Sequence, residues 1–434
     1  MERYWNKDME TMERGQIRDL QLARLKTVLA RVYEKVPYYR EKMKAQGIEP
    51  GDIKTLEDLP KLPITTKQDL RDTYPFGLFA SPMEEIVRIH ASSGTTGKQT
   101  VVGYTAGDID MWADCMARCF VMEDADPSSR MQVAYGYGLF TGGLGAHYGA
   151  EKLGVVTIPA SSGNTQRQIT MLMDFGVTHI CCTPSYAMNI AEVLEDMGHS
   201  KKDLKLKAGC FGAEPWSDAM RKEIELRLGI RAYDIYGLSE IMGPGVSHEC
   251  RHQNGLHLWE DNFIAEITDP DTDQPVKEGQ SGDLVITTIN KEGFPLIRYK
   301  TRDISTLNFE TCECGRSHVR MSKPAGRTDD MLIIRGVNVF PSQIESVLLS
   351  ISDVQPHYQI VVDRINNLDV ITLEIEIPET LFSDTVKDIE SFERKVSSQV
   401  NSVLGISAKI RLVEPKTIAR SEGKAKRVID KRQG

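Results

Sequence analysis

The chain lacks any apolar run approaching the roughly 20 consecutive residues that a membrane-spanning helix needs. Its start, "MERYWNKDME", carries charges but no apolar stretch behind them, so a secretory leader is not expected. A basic excess is missing as well. The formal net charge is −9, which argues against a surface built for nucleic acid. No internal repeat and no low-complexity tract interrupts the 434 residues. Together these absences leave a soluble, cytoplasmic protein with no membrane and no nucleic-acid partner as the expectation. Eight cysteines in such a chain are expected to stay reduced or to bind metal rather than pair.

What remains is ordinary globular material, 40% hydrophobic and 26% charged, too long for one core. Residues 17–36 place Ile17, Leu20, Leu25, Val28, Leu29 and Val32 at helical spacing, and Pro37 ends the run. From about residue 85, β-rich runs such as "RMQVAYGYG", "VTHICCTP", "LKAGCFGAEP" and "RAYDIYGLSE" alternate with amphipathic stretches such as "AMRKEIELRLG". That alternation predicts βαβ units and a largely parallel sheet. Ligands bind such sheets beyond the carboxyl ends of the strands. After about residue 263 strands dominate, and beyond "GRTDD" a small α+β unit follows, with Pro341 opening a helix and an Asn-Asn turn joining two strands. The fold class expected is therefore α/β: a large N-terminal domain of residues 1–328 with mainly parallel sheets flanked by helices and a β-rich subdomain, and a small C-terminal domain of residues 329–434. The final stretch from Lys416 is basic and by itself reads as a solvated tail.

"SSGTTGK", residues 92–98, is glycine-rich but fails the Walker A pattern, which wants a glycine where Ser92 stands and a Ser or Thr where Gln99 stands. Its ingredients still suit phosphate: glycine backbone amides, the hydroxyls of Ser93, Thr95 and Thr96, and the charge of Lys98. On those residues alone it is either a phosphate cradle or a plain mobile turn.

"FGAEP" (211–215), "DIYGLSE" (234–240), "RYKTRD" (298–303) and "GRTDD" (326–330), in that order behind the glycine-rich loop, resemble the adenylate-forming enzymes, and most closely the phenylacetate–CoA ligase family. "YGYGLFTGGLGAHYGAE" and "DDMLIIRGVNVFPSQIE" look like that family's own signatures, and the resemblance covers nearly the whole chain. It implies an ATP-dependent ligase: carboxylate and ATP give acyl-AMP and pyrophosphate, then CoA gives acyl-CoA and AMP as a mobile small domain rotates. It also implies positions. Ser93, Gly94, Thr95, Thr96, Gly97 and Lys98 would close over the phosphates, and Glu240 would hold Mg²⁺ on them. Ala213, Glu214 and Pro215, with Asp234, Ile235, Tyr236 and Gly237, would frame the nucleotide, the Tyr236 ring lying against adenine. Asp303 would accept both ribose hydroxyls, Arg327 would stand near the ribose or α-phosphate, and Asp329 matches the hinge. "RSEGKAKRV" resembles the loop that presents a lysine during adenylation. That lysine is assigned to Lys424, with Lys426 and Arg427 as rivals; Glu422 stands where the wider superfamily usually has serine. Gly336 would line the CoA channel.

The acid pocket is expected beside Tyr135, Phe140, Gly143, Ala213, Ile235 and Pro244, small residues with a few aromatics that suit a flat ring. No cation for a second carboxylate is evident, which favours a simple aryl or arylacetic acid; phenylacetate, an indoleacetate and a benzoate stay open. Cys312 and Cys314 in a C-x-C-G turn suit a metal knuckle completed by Cys250 and one of His248, His252 and His257. The resemblance favours Cys250 with His257, giving a structural Zn²⁺ site. Cys115, Cys119, Cys181, Cys182 and Cys210 fall on apolar patterns and are assigned to the core. Two other readings stand beside the ligase: acyl transfer to a carrier-protein thiol, and an inactive zinc-stabilised nucleotide-binding protein. The family's frequent dimers leave a homodimer open.

Overall fold

In the computed structural model the described residues are 3–92, 99–334, 337–351, 354, 356–365, 368–377 and 386–432. The helix Arg14–Lys35 buries Ile17, Gln21, Leu25, Val28, Leu29 and Val32. Gln21 thus takes the place in the stripe that apolarity alone gives to Leu20. Its amide donates to the Phe263 carbonyl at 3.1 Å, which satisfies a polar group that burial would otherwise leave costly. Pro37 ends this helix and occupies the first turn of the next, Pro37–Ala45, where a missing N–H does no harm.

Among the described residues, nine strands form the main sheet. Val156–Ile158, Arg130–Val133, His179–Cys182, Ala208–Gly212 and Arg231–Leu238 lie side by side and parallel. Gly243–Glu249, Leu256–Leu258, Arg320–Met321 and Leu307–Asn308 extend it antiparallel. The parallel half comes from the β-then-helix alternation; the antiparallel half comes from the helix-poor stretch that follows. Gly237 sits at a register shift between the two halves. A Cβ there would stand 1.9 Å from the Gly243 carbonyl oxygen, so only glycine fits. A three-stranded antiparallel sheet (Phe263–Thr268, Gly282–Thr288, Tyr299–Ser305) packs alongside.

Residues from Leu332 to Ile410 hold a hydrophobic cluster of their own, separate from two clusters in the preceding residues. The helices Pro341–Leu349 and Val386–Leu404 accompany a four-stranded sheet there. The Asn-Asn turn of the Tyr358–Ile365 and Leu368–Glu376 hairpin lies outside the described residues. The basic terminal stretch is not simply a solvated tail: Val428–Asp430 pairs parallel with Tyr358–Ile365, because a β-branched run lets it close that sheet. Among the described residues no helix is long and apolar enough to cross a membrane.

Candidate active site

The parallel strands end together. Tyr135 follows one, Thr183 the next, Ala213–Pro215 the third and Glu240 the fourth. The glycine-rich residues Ser93–Lys98 lie outside the described residues, as does Gly336. The antiparallel pair Arg88–Ser92 and Thr100–Tyr104 nevertheless fixes where that loop leaves and returns. Ser92 Oγ donates to Glu240 Oε1 at 3.5 Å, so the loop springs from beside this carboxylate. Glu240 is 4% exposed.

Two lysines that no motif announces converge on the same place. Lys67 Nζ stands 3.4 Å from Glu240 Oε1. Lys291 is fully buried, donates to the Ile241 carbonyl at 2.8 Å and lies over the Tyr104 ring. Burial pushes the Lys291 ammonium down to about 8, against the pull of Asp108 and Glu240. "TKQD" shows where the Lys67 helix starts, through its Thr66–Asp69 capping box. It gives no sign of what the lysine faces.

Asp303 stands on the strand Tyr299–Ser305, against Tyr236. It is 5% exposed and accepts from Tyr236 Oη at 2.6 Å. Burial raises its carboxyl above the usual range, although the Tyr236 hydrogen bond and the Arg327 charge oppose this. Asp303 also forms an isolated antiparallel bridge with Arg327. Arg327 in turn grips Asp329 with two hydrogen bonds, 2.9 and 3.1 Å. Burial works against the Asp329 charge, but the Arg327 hydrogen bonds outweigh it and hold the carboxyl low. Ala213 adopts φ of +70°, unusual for a residue with a Cβ, in a turn that leaves Ala213 and Pro215 exposed. Ile235 is buried behind that turn. Asp234 instead lies toward the flank, 3.7 Å from Lys323 Nζ, and burial with the neighbouring Glu249 raises it to about 7.

Among the expected pocket walls, the Tyr135 hydroxyl is buried next to the backbone of Gly212, and Phe140 is 53% exposed. Gly143 backs onto the same loop: a Cβ there would stand 2.7 Å from the Gly136 oxygen. Pro244 accepts from Trp112 Nε1 through its carbonyl at 2.9 Å.

Lys424 is exposed, on a loop laid over these strand ends. Thr183 Oγ1 donates to the Gly423 carbonyl at 2.8 Å, and the Ala425 N–H donates to Glu214 Oε2 at 2.8 Å. Glu214 Oε1 accepts the Ser185 N–H at 2.7 Å, so this carboxylate joins the loop to a strand end. Burial raises its carboxyl.

Cys250, His257, Cys312 and Cys314 form a second centre. All are buried and their ligand atoms lie within 4.8 Å of one another. The Cys250 and Cys312 sulfurs are 3.7 Å apart, and Cys314 Sγ is 3.5 Å from His257 Nε2. Tetrahedral zinc, with Zn–S of about 2.3 Å and Zn–N of about 2.05 Å, requires separations of about 3.8 and 3.6 Å. The donor set and its spacing fit that ion. His248 and His252 are elsewhere engaged, with Glu123 and Glu313. Cys115, Cys119, Cys181, Cys182 and Cys210 are buried free thiols, as their apolar patterns imply.

A sequence model described as "AMP-binding enzyme" matches residues 20–290, and one described as "AMP-binding enzyme C-terminal domain" matches residues 336–432. The chain belongs to the AMP-binding enzyme family. A protein of Thermus thermophilus named phenylacetate-coenzyme A ligase is 49% identical, over 98% of this chain and 99% of its own. One of that name from Escherichia coli is 50% identical over 98% and 97%. Among solved structures, a 2-hydroxyisobutyryl-CoA ligase in the postadenylation state, in complex with R3-HIB-AMP, superposes with a TM-score of 0.93 at 30% identity, covering 99% of this chain and 93% of the other. The same ligase in the thioesterification state, with 2-HIB-AMP and CoA, gives 0.73 at 32% identity and the same coverage. The AMP-binding chain described above therefore sits closer to the first arrangement.

Proposed function

We propose that this protein is an ATP-dependent aryl-acid CoA ligase with phenylacetate as its preferred acid. The observation that carries the reaction is the docking of the Lys424 loop onto Thr183 and Glu214 at the ends of the parallel strands. The choice of acid rests on the full-length relatives at 49% and 50% identity. In the first step a carboxylate oxygen bonds to the α-phosphorus of ATP, the bond to the β-phosphate oxygen breaks, and pyrophosphate leaves. Lys424 neutralises charge at the reacting oxygens, Asp303 orients the ribose, and Ser93–Lys98 covers the departing phosphates. Glu240 offers the hard oxygen donor that a magnesium ion takes, and that ion would supply charge neutralisation on the phosphates. In the second step the CoA thiolate attacks the acyl carbon and AMP leaves. The boundary at residues 328–329, with Asp329 as hinge, is supported by the separate core that begins at Leu332. Cys250, His257, Cys312 and Cys314 would hold zinc as a structural tie.

The test is pyrophosphate exchange and AMP release over phenylacetate, indoleacetate, benzoate and 2-hydroxyisobutyrate, with and without CoA. Phenylacetate should give the highest kcat/KM, and AMP release should require CoA. Absence of exchange with every acid would overturn the ligase, and turnover completed without CoA would favour another acceptor.

Lys67, within reach of Glu240, is expected to contact the phosphates. Lys67→Met should lower kcat/KM for ATP by about tenfold, the worth of one charged hydrogen bond, and leave the KM for CoA unchanged in steady-state assays.

A further inference from the structure

The helix Pro184–Asp196 holds the terminal loop along its whole length, the two segments running in opposite senses. At the N-cap, Thr183 takes the Gly423 carbonyl. Further along, Glu192 accepts two hydrogen bonds from Arg420, 2.8 Å from Nε and 2.9 Å from Nη2, and its Oε1 lies 3.1 Å from His357 Nε2. One turn beyond, on the same face, Asp196 pairs with Lys416 at 2.8 Å. From Thr183 to Asp196 the helix rises about 20 Å, and residues 416–423 can span at most about 25 Å. The loop therefore has little slack, and the point at which it is tied sets how far Lys424 reaches.

Arg420 is already oriented by its own unit. Glu376, 2% exposed, takes Nη1 and Nη2 at 2.7 and 2.8 Å and also accepts the N–H groups of Lys416 and Ile418. The guanidinium is thus presented as a rigid fork, and Glu192 meets its remaining edge. The two charged ties on the helix differ in strength. Lys416 and Asp196 are 65% and 55% exposed, a pair that water and salt screen. Arg420 and Glu192 are 18% and 21% exposed and doubly bonded, so that contact decides the register.

We propose that Glu192 is a positioning residue for the first half-reaction: by taking Arg420 and His357 it registers the 416–425 loop along the helix, and its release frees the loop for the second. This rests on the adenylation role of Lys424. Arg420 keeps Glu376 when the loop leaves, so the contact broken is the one to Glu192.

Glu192→Gln keeps the shape and removes the charge. Pyrophosphate exchange should fall by on the order of tenfold, while thioester formation from supplied acyl-adenylate and CoA stays at the parent rate or rises. Glu192→Asp should recover part of the exchange rate, and Asp196→Asn should change it by about twofold or less. An exchange rate at the parent level in Glu192→Gln, or an equal fall in both half-reactions, would overturn the inference. Lys424→Ala run in parallel separates the two readings. If that variant keeps exchange, the lysine-loop reading itself fails. If it loses exchange while Glu192→Gln does not, only the role of Glu192 is overturned.

Discussion

Replacing Lys424 with alanine is expected to lower pyrophosphate exchange by about a thousandfold, while thioester formation from supplied acyl-adenylate keeps its parent rate. A thousandfold is about 4 kcal/mol of transition-state stabilisation, the scale on which removal of one preorganised charge-stabilising group acts. The asymmetry follows from place. Lys424 rides on a loop whose neighbours, Gly423 and Ala425, are bonded to Thr183 and Glu214 at the strand ends. In the reaction proposed, a group held there serves the step in which negative charge builds on phosphorus and carboxylate oxygens. Nothing in the thiol attack that follows calls for it. Single-turnover measurement of each half-reaction checks the split, and equal loss of both would remove Lys424 from its role.

Cys314→Ser is the second large effect, and it falls on stability. The protein should hold about one zinc per chain by elemental analysis after mild chelation, and the variant should hold none. Breaking a closed structural site removes folding energy outright, so the variant should unfold at least several degrees earlier. The structure says where the damage spreads. Tyr4 Oη donates to the Cys314 carbonyl at 2.8 Å, and Arg316, fully buried, donates to Glu10 at 2.7 Å. His318 Nε2 lies 2.9 Å from the Met9 carbonyl oxygen. The segment around residues 4–10 is therefore fastened to the thiol turn. It should become the first site of proteolytic cleavage in the variant, which mass spectrometry of limited digests would show. Parent-like digestion with no metal in the purified parent would return the three thiols to ordinary core packing.

The motifs that carry the family resemblance were legible because each is contiguous and local. The resemblance assigns Glu240 at the end of "YGLSE", just past the point where the strand Arg231–Leu238 closes against Gly243. "RYKTRD" and "GRTDD" likewise stand at a strand and the turn paired with it. The helix stripe was legible except at Gln21, whose burial depends on the Phe263 carbonyl far along the chain. A hydropathy pattern cannot register a hydrogen bond to a residue it does not contain.

The same reason divides what the sequence by itself determined from what only the tertiary structure decided. The sequence determined the family resemblance, the alternation of strand and helix, the order of the motifs that carry that resemblance and the C-x-C-G knuckle. All of these are spacings along one stretch of chain. The tertiary structure decided that Lys67 faces Glu240, that His257 rather than His248 or His252 joins the thiols, and that Glu192 meets an Arg420 already gripped by Glu376. Such charged pairs join residues far apart in the chain, and an isolated Lys, His or Glu reads as a solvated surface group until packing takes water away from it.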